Sequence, residues 1–73
     1  MTLKEITAKV LGMDANKING KTSRESTSEW DSFNHLLLVS EIEKEFDIKL
    51  KMDEVNTIKT FADLEKILRT HGK

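Results

Sequence analysis

Apolar residues recur along the chain at three- and four-residue spacing, in blocks divided by polar stretches, and this is the period that turns one face of a helix inward. Leu3, Ile6 and Val10 form the first stripe. Thr2 and Glu5 stand in the Thr-x-x-Glu arrangement of a capping box, and Gly12 supplies a stop, because glycine accepts the left-handed conformation just past a helix end. A second stripe, Leu36, Val39, Ile42 and Phe46 with Leu38 on its flank, predicts a helix capped at Asp31 and running through Phe46. After Asp47 the run Ile48-Lys-Leu-Lys-Met52 alternates, but no other segment could pair with it as a strand, so it reads as an extended linker. A short helical turn near Asp53 to Asn56 follows. Thr60 with Asp63 caps a last helix whose Phe61, Leu64, Ile67 and Leu68 face inward and which ends near Gly72.

Between the first two helices lies MDANKINGKTSRESTSEW, residues 13 to 30, rich in turn-forming types and without helical period. A loop of this length in a small domain is more often functional or disordered than incidental. Met13, Ile18 and Trp30 are its large apolar residues and are expected to pin it to the core. The fold expected is therefore all-α: a small four-helix bundle, three principal helices and one short one, with a long loop between the first and second, residues 1–73 forming one domain.

Composition narrows the range of functions. A 73-residue chain buries only about 60% of the surface its unfolded form exposes, so a deep catalytic cleft is not expected. Cysteine is absent, which excludes a disulfide framework and thiolate metal sites. There is no apolar run of about 18 residues and no basic-then-apolar leader pattern, so a soluble, cytoplasmic monomer without membrane insertion is expected. A net charge of −1 lacks the basic excess of a nucleic-acid binder. Locally, residues 31 to 47 hold Asp31, Glu41, Glu43, Glu45 and Asp47 against Lys44 alone, a net of −4, with Lys17, Lys21 and Arg24 upstream. Partners that dock there are expected to be basic.

The candidate chemistry lies in EWDSFNHLLL, residues 29 to 38, where Asp31, Ser32 and His35 carry the letters of a nucleophilic triad. Residues three apart on a helix are neighbours, but a triad also needs an acid that orients the base, an oxyanion hole and a substrate pocket. Asp31 is better placed to cap the helix, and His35 reads as a partly exposed helix residue. Asp14, Asn16 and Glu25 match positions one, three and twelve of a calcium loop, but Ile18 and Asn19 replace a ligand and the required glycine. His35 and His71 are too far apart to suggest a zinc spacing. Ser32 remains as a passive hydroxyl. At a first helical turn it sits beside free N–H groups and the positive end of the helix dipole, which favours an attached phosphate by up to about 1 kcal/mol. Alone, it reads first as an ordinary first-turn serine. Phe33 and Leu37, four apart, fall beside Ser32 at the edge of the outward face and suggest either a docking surface or packing against the long loop.

Asp31-Ser32-Phe33, followed by an apolar helix ending EIEKEFDIKL, resembles the Asp-Ser-Leu motif and second helix of acyl carrier proteins, in which a Glu-rich stretch is followed by Phe, Gly and Ile. The likeness extends over nearly the whole chain in helix order. It implies a carrier, not an enzyme, with 4′-phosphopantetheine attached to Ser32 by a phosphopantetheinyl transferase, and acyl groups held on the arm as thioesters. It implies that Asp31 helps position the metal-bound coenzyme A in the transferase, and that Phe33, Leu37 and Glu41 belong to the face gripped by acyl-loading and acyl-processing enzymes. Phe33 in place of leucine, Asp47 in place of glycine, Leu37 and the near-neutral charge depart from the acidic housekeeping carriers. The Trp-Asp-Ser-x-x-His-Leu run is closer to free-standing carriers of specialised pathways. Aminoacyl, peptidyl and D-alanyl carriers stay open as alternatives, as does a helical interaction module without a prosthetic group.

Overall fold

Three of the four helices begin at a side chain that takes up backbone N–H groups the first turn leaves free. In the computed structural model, which describes residues Met1–Lys73, these helices are α1 (Leu3–Leu11), α2 (Ser32–Phe46) and α4 (Phe61–Thr70), with the short α3 (Met52–Thr57) between the last two. Thr2 Oγ1 accepts from the Glu5 N–H at 3.2 Å while the Glu5 carboxylate accepts from the Thr2 N–H at 2.9 Å, and Thr60 and Asp63 make the same reciprocal box at α4. Asp31 caps α2 by accepting from the Asn34 N–H at 2.8 Å. Gly12, the expected stop, closes α1 at φ 68°, and α2 ends at Phe46 as expected, with Asp47 in the left-handed region at φ 53°, ψ 51° just beyond it. The all-α bundle expected from the pattern is what forms, and no helix is long and apolar enough to cross a membrane.

The stripe on α2 is shifted from the one its apolar letters suggest. Leu36 is 61% exposed, and the buried positions are His35, Leu38, Val39 and Ile42, with Phe46 half-buried. Those residues repeat at three, one and three, the same helical face begun one position earlier. His35 starts it. Counting histidine as a polar, outward residue displaced the stripe onto Leu36, and the structure corrects both assignments.

The long first connection is tied down rather than loose. Ile18 and Trp30 are fully inside the core, Met13 packs against it, and a short 3-10 turn at Ala15–Lys17 is capped by the Asp14 carboxylate. Midway, Ser23 pairs antiparallel with Thr60 in a single bridge. The Arg24 N–H donates to the Lys59 carbonyl at 2.9 Å and the Phe61 N–H to the Thr22 carbonyl at 2.8 Å, which staples the loop to the connection between α3 and α4. The linker after α2 has no regular structure over residues 48 to 51, and Met52, expected within it, instead opens α3. The course of the linker is set by Glu43, whose carboxylate accepts from the Leu50 N–H at 2.8 Å.

Candidate functional site

Ser32 is the first residue of α2, exposed, and flanked by a carboxylate that the helix itself employs. The cap fixes Asp31 and so fixes where the helix starts. Asn34 adds a second restraint, its side-chain amide donating to the Glu29 carbonyl at 2.7 Å across the cap. Together these fix the backbone at Ser32, which lines an open cleft of about 590 Å³ between the long loop and the α3–α4 connection.

His35 lies one turn further on and is buried. The Trp30 indole N–H can only donate, so at 3.0 Å it must meet an unprotonated Nδ1 on His35. Nε2 then carries the proton and donates to the Val55 carbonyl at 3.0 Å. That carbonyl is in the last turn of α3, where a helix has no backbone donor left to offer it. One imidazole therefore joins the long loop, α2 and α3. Burial holds its pKa below the ordinary histidine value; the Val55 carbonyl opposes that shift and the Arg24 charge adds to it.

This arrangement disposes of the triad. A general base needs a free lone pair facing the nucleophile, and both ring nitrogens of His35 are engaged elsewhere. Asp31 serves the helix cap and not the imidazole. The calcium pattern dissolves as well, because the Asp14 carboxylate accepts from the Asn16 N–H at 3.0 Å and closes a 3-10 turn where that loop would need ligands pointing at a common centre. His71 is bound to Glu54 at 2.9 Å, joining the end of α4 to α3.

The residues expected to meet partners divide between two places. Phe33 stands 74% exposed on α2. Leu37, 41% exposed, and Glu41 line an open groove of about 220 Å³ whose far wall is Ile6, Lys9 and Val10 of α1. Leu36 joins Phe33 and Leu37 on the outward face, and Met52 of α3 is also exposed, so the apolar surface is wider than the two residues expected. The acidic surface is narrower, since Asp31, Glu43 and Glu45 are committed to the α2 cap, the Leu50 N–H and the N-terminal ammonium. Reading Leu36 on the Ser32–Phe33–Leu37 face needed only the correct phase of α2, and the obstacle was His35.

Three comparisons bear on this geometry. The family model for the phosphopantetheine attachment site matches residues 2–68. The chain is 30% identical over 71 residues to an acyl carrier protein of Bdellovibrio bacteriovorus, across 97% of this chain and 91% of that protein. A solved structure of a candidate acyl carrier protein from Mycobacterium tuberculosis superposes with a TM-score of 0.82 at 23% identity, covering 94% of this chain and 97% of that one, a likeness of fold.

Proposed function

Because the chain belongs to the phosphopantetheine-attachment family of acyl carrier proteins, and is thus a carrier and not an enzyme, we propose that Ser32 is its attachment residue and that it presents acyl thioesters to partner biosynthetic enzymes. The observation that carries this reading is the placement of Ser32: an exposed hydroxyl at the first residue of α2, held by the Asp31 cap at the mouth of an open cleft. The residues present fit the group. A phosphodiester is an anion, and the cleft beside Ser32 is bordered by two cations, Arg24 and Lys59. When bound, the arm supplies a terminal thiol on which an acyl group rides as a thioester.

The chain's own part is positional. Asp31 and Asn34 hold the helix start at which Ser32 stands exposed, and Asp31 adds a carboxylate beside it for the transferase to read. Phe33, Leu36 and Leu37 offer a rigid apolar face on α2, and Glu41 adds charge at its edge. Net charge of −1 favours partners that grip through apolar contact over those that select strongly acidic carriers. A cytoplasmic location, where coenzyme A and transferase are at hand, belongs to the same proposal.

Incubation with coenzyme A and a broad-specificity phosphopantetheinyl transferase, followed by intact mass measurement, tests it. One phosphopantetheine adduct is expected on the unaltered protein and none on Ser32→Ala. No adduct, or one that survives Ser32→Ala, overturns the assignment.

A further inference from the structure

The cleft beside Ser32 has two walls of known construction. On one side the long loop brings Arg24, half-buried, whose backbone N–H is bound to the Lys59 carbonyl at 2.9 Å and whose Nη1 donates to the Ile58 carbonyl at 3.4 Å. On the other the α3–α4 connection brings Lys59, whose own N–H is fixed by the Asp63 carboxylate at 2.9 Å. Trp30 closes the inner end. The two cations therefore come from segments stapled to each other, one residue from the Ser23–Thr60 bridge.

Neither Arg24 nor Lys59 makes an ion pair with a carboxylate. Two acids share the cleft. Asp31 is turned to the α2 cap, and Glu25 is exposed at the rim. The guanidinium lines the same cleft as Ser32 while its Nη1 reaches back to the Ile58 carbonyl. The cleft is open and polar, with Trp30 its one apolar lining residue.

We propose that the phosphodiester formed on Ser32 is held in this cleft by Arg24 and Lys59, so that the arm leaves α2 toward the long loop and away from the Phe33–Leu36–Leu37 face. The proposal rests on Ser32 being the attachment residue. A phosphodiester on Ser32 shares the cleft with both cations, whose backbones are stapled in place, and guanidinium presents paired N–H groups suited to phosphate oxygens. The arm's root is then kept off the face that partners grip, and docking does not first have to displace it.

The experiment compares ¹H–¹⁵N spectra of the protein before and after complete loading by coenzyme A and transferase, with loading verified by intact mass. The largest shifts beyond residues 31 to 37 are expected at the Arg24 Nε–H and at the backbone amides of Arg24, Lys59 and Thr60. In the Arg24→Gln/Lys59→Gln protein, loading is expected to reach completion while the shift at Thr60 is lost. Shifts confined to residues 31 to 37 in a fully loaded, folded protein would overturn the cleft assignment and leave Ser32 attachment standing. Absence of any adduct would overturn both.

Discussion

Both nitrogens of His35 are in use, so removing the ring strands two buried partners at once. His35→Ala leaves the Trp30 indole N–H and the Val55 carbonyl unmatched in the core, at about 1–3 kcal/mol for each group. Urea denaturation should therefore show a loss that is a large share of the stability of so small a domain. Protonation attacks the same pair, because a proton on Nδ1 would face the indole N–H. The native pKa lies below the ordinary value near 6.5, so the unfolded chain binds more protons as the pH drops through that value. The contribution of His35 to stability is complete above about pH 6.5 and declines as pH falls toward the native pKa. An imidazole NMR titration checks this, and a His35 resonance titrating at or above 6.5 would refute it. Asp31 has two roles that substitution can separate. Asparagine caps a helix about as well as aspartate, whereas alanine costs about 1 kcal/mol. Asp31→Asn should thus keep the melting temperature and lower the rate of phosphopantetheine loading, whereas Asp31→Ala should lower both.

The end of α2 shows what one backbone angle is worth. Asp47 occupies the left-handed region that glycine enters without strain, so Asp47→Gly should stabilise the protein by about 0.5 kcal/mol, net of the extra freedom glycine gives the unfolded chain. Thermal unfolding should record a rise of about 2–4 °C. At this scale the sequence was informative wherever a signal is local. The Thr2 and Thr60 boxes, the Asp31 cap and the stop at Gly12 each sit within a few residues of the backbone groups they serve. The phase of α2 depended on a distant partner. His35 is buried because Trp30 and Val55 satisfy its nitrogens, and nothing in the local spacing shows that. The same holds for Arg24 and Lys59, which meet only because Ser23 pairs with Thr60. Ser32 was legible as a residue and as a place on a helix, but the cleft beside it was not.

Over the whole molecule the apolar and acidic surfaces have unequal weight. Phe33 is 74% exposed, so Phe33→Ala should move stability by no more than about 0.5 kcal/mol while weakening productive contact with the transferase. Of the acidic residues from 31 to 47, three are held by contacts within the fold, leaving Glu41 and Asp47 the freer charges. Raising salt should therefore slow association with the transferase, and by less than Phe33→Ala combined with Leu37→Ala does, when loading rates are compared at low and physiological ionic strength. The tie between Ser23 and Thr60 has a bearing on how the molecule assembles. Helices form from neighbouring residues, but this bridge joins opposite halves of the chain and repays its loop-closure entropy only when nearly everything else is in place. Loss of this one tie would widen the cleft beside Ser32 without touching the hydrogen bonds inside α1 and α2, so amide exchange at Arg24 and Phe61 should report on the cleft separately from the helices.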